Sequence, residues 1–123
     1  MTQWTSDQLN AIGNAEELQI APYRRDGSLH RPVPIWIVRV GDGLYVRSWR
    51  GADGRWYRGA QQTHKGHICA GGVERDVTFV DTEGGVGHAI DDAYRTKHRG
   101  YPTYVPPMIN EDARATTMRL VPR

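Results

Sequence analysis

Apolar and polar residues alternate with a period of two along most of this 123-residue chain, and two stretches switch to a helical period. The first helical stretch lies near the N-terminus. Thr5 and Gln8 have the spacing of a capping box, and Trp4 and Leu9 can close around it as a hydrophobic staple. The pattern predicts a helix from Ser6 to about Ala15 that offers Leu9 and Ile12 to the core as a lid over one end of a barrel. Glu17 to Tyr23 follows as a strand, and Arg25-Asp26-Gly27-Ser28 ends it with the Asp-Gly pair of a tight hairpin.

The return strand, His30 to Val40, carries Pro32 and Pro34 near its start, where proline is tolerated. It becomes apolar on both faces at Ile35-Trp36-Ile37-Val38, which predicts a central strand with one face toward the barrel interior and the other under a helix or a partner subunit, and with Trp36 in the core. Gly41-Asp42-Gly43 turns the chain into a strand from Leu44 to Trp49. That strand sets Leu44, Val46 and Ser48 on one face and Tyr45, Arg47 and Trp49 on the other. A face bearing Arg47 is not plain core. Residues Arg55 to about Thr63 read either as a short helix or as a turn-rich loop. Ile68 to Ala70 and Val73 to Val80 form a hairpin around Gly71-Gly72, and an amphipathic helix runs from about Val86 to His98. Residues 100–112 read as a proline-stiffened crossing, and Ala115 to Val121 as the last strand. The sum is one α+β domain over residues 1–123, an antiparallel barrel with two to three helices.

Composition narrows the chemistry. A net charge of +2 does not suggest a nucleic-acid binder, and no apolar run approaches the roughly 18 residues of a membrane span. The N-terminus lacks the layout of a signal peptide, so the expected location is the cytoplasm. The single cysteine, Cys69, reads as a buried, inert thiol. Residues 24–58 hold eight arginines against three aspartates, while the only lysines are Lys65 and Lys97. Arginine suits planar recognition of phosphate or carboxylate, which points to an anionic ligand; a general arginine bias accounts for the same pattern.

Within that segment Arg47 and Ser48 adjoin Arg50 and Gly51, and a glycine lets backbone N–H groups approach an anion closely. Surface arginines loosely paired with Asp42 and Asp53 would give the same sequence. His64 and His67 stand three apart without a carboxylate or cysteine at ligand spacing, so no metal is expected. Either imidazole could act as a general acid, although the sequence shows no partner to orient it. Asp91-Asp92 reads as a solvated outer helix face. The chain contains no nucleophile elbow, Walker loop or dinucleotide fingerprint.

The order of elements, with Arg31-Pro32-Val33-Pro34-Ile35-Trp36, Gly41-Asp42-Gly43-Leu44-Tyr45-Val46-Arg47-Ser48, Arg55-Trp56-Tyr57-Arg58, Ala70-Gly71-Gly72 and Ala115-Thr116-Thr117-Met118-Arg119-Leu120, resembles the FMN-binding split-barrel superfamily. The likeness is to its deazaflavin-dependent nitroreductase-like branch, and more closely to domain of unknown function 2255. The resemblance implies a homodimer with FMN or F420 in a groove at the subunit interface, serving a small-molecule oxidoreductase. Arg47 and Ser48 would then be phosphate contacts, with Arg50, Arg55 and Arg58 nearby, and Trp56 and Tyr57 would flank the ring. Gln61-Gln62-Thr63-His64-Lys65-Gly66 stands where that branch usually has Asn-Pro. The alternative is a cofactor-free barrel that binds a small ligand or catalyses an isomerisation or cyclisation.

Overall fold

The computed structural model describes residues 3–82 and 87–123. Among these residues seven strands form one antiparallel sheet that curls into a nearly closed barrel, accompanied by five α-helices and one short 3-10 turn. The chain order is α1 (Ser6–Gly13), β1 (Glu17–Pro22), β2 (Val33–Trp36), β3 (Val38–Val40), β4 (Gly43–Val46) and α2 (Arg55–Thr63). Then come β5 (Lys65–Ala70), β6 (Val73–Asp81), α3 (Gly87–Lys97), α4 (Pro106–Ile109), α5 (Glu111–Arg114) and β7 (Met118–Pro122). The expected start of α3 at Val86 lies outside the described residues. No described helix is long and apolar enough to cross a membrane.

Helix α1 begins as its sequence demands: Gln8 N–H donates to the Thr5 hydroxyl at 3.1 Å, and Thr5 N–H donates back to the Gln8 side chain at 2.9 Å. The indole N–H of Trp4 donates to the Leu120 carbonyl at 2.9 Å, which ties the entry to the last strand. Leu9 and Ile12 enter the main core with Leu18, Ile20, Leu44, Val46, Ile68, Val77, Phe79, Met118 and Leu120. Two consecutive glycines with positive φ, Gly71 at 57° and Gly72 at 81°, turn β5 into β6.

The sheet order is β2-β1-β5-β6-β7-β4-β3. Its two ends are neighbours in sequence, because β2 and β3 are separated by Ile37 alone. This corrects the expected single central strand. Its two faces are covered as expected, Ile37 by the main core and Val38 by the second core under α3, but the strand breaks at Ile37: its first half pairs with β1, its second half pairs with β4, and the chain itself bridges the split. Ile37 is fully buried at that crossing, which accounts for the unbroken apolar run.

Strand β4 sends Leu44 and Val46 into the main core and Tyr45 into a second core under α3, where it meets Val38, Ile90, Tyr94 and Met108. The proline-rich crossing is not simply extended. Pro106 and Pro107 start the single-turn helix α4, where a missing N–H costs nothing, and Asn110 caps α5 by accepting from Ala113 N–H at 2.8 Å. These single turns raise the helix number above the expected two to three. Cys69 is only partly buried, on the side of β5 that faces away from the core.

Candidate functional site: a groove beside the barrel seam

An open groove of about 960 Å³ lies between β2, the segment after β4 and the start of α2, large enough for a cofactor-sized ligand. Val33, Pro34, Ile35 and Trp36 of β2 supply one wall. Arg47, Ser48, Trp49 and Arg50 supply another, and Asp53, Gly54, Arg55 and Trp56 a third. Glu16, Glu17, Tyr101, Tyr104 and Met108 complete the lining.

Ser48 has the one partnerless buried side-chain atom among the described residues that line this groove. Its backbone is satisfied, since its N–H donates to the Thr116 hydroxyl at 2.8 Å and its carbonyl accepts from Gly51 N–H at 3.0 Å. Its own hydroxyl is buried and has no partner, a cost that folded proteins rarely leave unmet. Gly54 lies directly against it: a Cβ at that position would come within 2.3 Å of the hydroxyl oxygen. Gly54 is also the N-cap of α2 and offers no side-chain cap. The first N–H groups of α2 therefore remain available to an external acceptor beside the Ser48 hydroxyl. Arg50 and Arg55 are exposed at the same wall, and the Arg50 guanidinium lies 5.5 Å from the Trp49 ring centroid.

Arg47, expected as a phosphate contact, is engaged by partners inside the protein. Although the residue borders the groove, its side chain is fully buried under α3. It donates to Asp91 at 2.5 Å, to the Thr117 hydroxyl at 2.8 Å and to the Met108 carbonyl at 3.0 Å. Its guanidinium also lies 5.5 Å from the Tyr94 ring centroid. With those acceptors in place the guanidinium holds the second core together. Asp91, expected on a solvated face, is buried, because α3 lays it over Arg47, and it accepts a second bond from Arg114 at 2.6 Å. Burial pushes the Asp91 carboxyl up, and the bonds from the two guanidinium groups more than reverse this, leaving its pKa below the usual value.

Of the other expected contacts, Ser48, Arg50, Arg55 and Trp56 line the groove. Gly51, Tyr57 and Arg58 do not. Gly51 adopts a positive φ of 63° and packs against Asp112. Tyr57 leans on the main core, meeting Trp56 edge to face at 6.2 Å, and Arg58 is exposed on α2. Helical geometry explains the split, since adjacent residues on α2 face different ways. Trp36, expected in the core, is half-buried and lines the groove instead. Among the described residues no arginine pairs with Asp42 or Asp53.

The residues that the pattern did not signal come from far apart in the chain: Glu16 and Glu17 at the start of β1, and Tyr101 and Tyr104 after α3. The histidines do have orienting partners. His67 faces Asp76 across the β5–β6 register, with Nδ1 at 3.0 Å from the carboxylate, and His64 meets Asp81 at 3.2 Å. The bond to Asp76 is the main cause of a raised His67 pKa. Neither histidine lines the groove.

Three solved structures show the breadth of the fold. The heme storage protein HutZ from Vibrio cholerae superposes with a TM-score of 0.63 at 13% identity, covering 98% of this chain and 91% of its own. An FAD-binding protein from Mesorhizobium loti gives 0.56 at 12% identity, covering 98% and 89%. A protein described as an F420 reductase gives 0.50 at 11% identity, covering 94% and 90%. These likenesses show that the chain shares the split-barrel fold of these three proteins. Among curated proteins none matches the chain by sequence. Residues 8–120 match the family described as an uncharacterized protein conserved in bacteria, and the chain belongs to that family, domain of unknown function 2255.

Proposed function

We propose that this protein binds a flavin or deazaflavin, FMN or F420, in the groove and acts as an oxidoreductase on a small organic molecule. The observation that carries the proposal is the partnerless buried hydroxyl of Ser48 beneath Gly54, at the open start of α2. A phosphate oxygen is an acceptor of the kind these donors lack, and it would receive the Ser48 O–H and the free N–H groups of α2. Arg50 and Arg55 add positive charge at the rim, while Arg47 contributes by fixing the segment from which Ser48 projects. Trp56 offers an aromatic wall for a planar ring. When bound, such a cofactor supplies hydride transfer, and the protein supplies position and exclusion of water.

Proteins of similar fold described as FAD-binding and as an F420 reductase support the cofactor class. A second copy of the chain would cover the exposed aromatic rim, where Trp49 is 58% and Tyr104 61% exposed. Singly exposed aromatics are ordinary, but two at the mouth of one groove suit an interface.

Titration of the purified protein with FMN and with F420, followed by fluorescence quenching, tests the reading. Submicromolar binding of one of them, weakened at least tenfold in Arg55→Ala with the circular dichroism unchanged, is the expected result. Binding of neither would leave the cofactor-free ligand-binding or isomerase barrel. Sedimentation velocity on the same samples checks for the dimer.

A further inference from the structure

The groove has a second lining of opposite character. Glu17 of β1 stands directly across from Trp36 of β2 in the strand register, so their side chains share one face. The Trp36 ring is held flat against His98, with centroids 3.8 Å apart and planes within 2°. Tyr101 stands beside it at 5.9 Å, tilted by 46°, and its hydroxyl donates to the Glu16 carboxylate. Two aromatic rings and two carboxylates therefore line the same part of the groove.

We infer that this cluster of Glu17, Trp36, Tyr101 and Glu16 is a recognition site for a small organic cation, so that the substrate carries an amine or quaternary ammonium group. In naming a substrate class this rests on the oxidoreductase reading above. An aromatic face attracts a cation through its quadrupole, and a carboxylate beside it adds a Coulombic attraction that an anion would feel as repulsion. Ser48, Arg50 and Arg55 provide the opposite preference elsewhere in the groove, so cofactor phosphate and cationic substrate would not compete for one lining.

The nearby basic groups leave the site free. Lys97 is tied by Nζ to the Ile37 carbonyl at 2.5 Å, and Glu16 is its acidic neighbour. His98 is kept uncharged at neutral pH because burial, assisted by Lys97, pushes its pKa down to about 4. Glu16 is thus engaged by the Tyr101 hydroxyl, with Lys97 a positive neighbour that does not pair with it. Glu17 has no hydrogen-bond or ion-pair partner among the described residues and is the carboxylate left for a guest.

Benzyltrimethylammonium, benzyl alcohol and benzoate present one ring with positive, neutral and negative groups. Each is titrated into the protein and followed by tryptophan fluorescence and one-dimensional NMR, with FMN and F420 titrated separately. The cation should bind at least tenfold more tightly than either counterpart, and Glu17→Gln should remove at least fivefold of that affinity. Equal binding of benzyl alcohol, or an unaltered affinity in Glu17→Gln, overturns the inference and leaves the cofactor reading intact. Selective cation binding without binding of either nucleotide removes the oxidoreductase assignment and keeps the cation site.

Discussion

The guanidinium of Arg47 and the carboxylate of Asp91 meet at 2.5 Å in the layer between β4 and α3, with both side chains withdrawn from water. The pair joins the barrel to its covering helix, and Arg114 extends it to α5. Removing one partner strands the other as a buried charge, which costs about 3–5 kcal/mol. Arg47→Ala is therefore expected to lower the urea midpoint sharply, as is Asp91→Ala. If Arg47→Ala kept its stability and lost only ligand affinity, the residue would be a direct anion contact after all.

The same pair predicts an acid limb. Its carboxyl titrates below the unfolded value of 3.8, so its contribution is complete above that pH and disappears as the pH falls through the lower folded value. Asp91→Asn should flatten that part of the stability profile, measured by denaturant unfolding between pH 2 and pH 5.

His98 predicts a separate slope at higher pH. The folded protein disfavours its protonation down to about pH 4, whereas the unfolded chain takes the proton near 6.5. Stability is therefore complete above 6.5 and falls as the pH drops toward 4, by on the order of 3 kcal/mol for a shift of that size. His67 works in the opposite sense: its folded pKa is raised, so its contribution is complete below 6.5 and lost as the pH rises through the folded value. Comparing His98→Phe with the wild type isolates the first effect, because phenylalanine keeps a ring stacked against Trp36 and cannot titrate. The variant should be the more stable protein at pH 5; parallel profiles would contradict this.

Gly54 and Ser48 should behave as a coupled pair. Gly54 has φ −61° and ψ 133°, which alanine adopts freely, so Gly54→Ala is opposed only by the contact at 2.3 Å with the Ser48 hydroxyl. Overpacking of this kind costs about 1–3 kcal/mol. Removing the hydroxyl with Ser48→Ala should relieve most of that cost, which a double-mutant cycle on stability would read as a favourable coupling. Both single variants should weaken the binding of FMN or F420, for different reasons: one fills the cradle and the other removes its donor.

Gly71 is a contrasting case, in which both the backbone and the surroundings forbid a side chain. Its φ is 57°, and a Cβ would lie 2.2 Å from the Ala11 carbonyl oxygen of α1. Gly71→Ala should destabilise the protein by about 2 kcal/mol or more, because α1 must move away from the hairpin. Gly72→Ala, also at positive φ but with nothing within 4 Å, should cost less; equal costs would show that φ alone decides.

Local chemistry alone identified much of this molecule. The Thr5 and Gln8 capping box, the Gly71-Gly72 hairpin and the alternation of Val77 and Phe79 in β6 each depend on residues close in sequence, so their outcome is readable from sequence. Ser48, Arg50, Arg55 and Trp56 reached the groove because a short strand end and the first turn of a helix keep neighbours together.

Tertiary structure decided the rest. Whether Arg47 faced a ligand or an internal carboxylate depended on where α3 set Asp91, 44 residues later in the chain. The apolar run through Ile37 looked like one central strand because burial on both faces reads the same whether the strand is continuous or breaks where the chain crosses the seam of its own barrel. Glu17 and Trp36 became one site only through the β1–β2 register, and Tyr101 joined them through the return of α3. Spacing along the chain carries local hydrogen bonds and periodicity; the choice of partner for a charge or an aromatic ring belongs to the packing of distant elements.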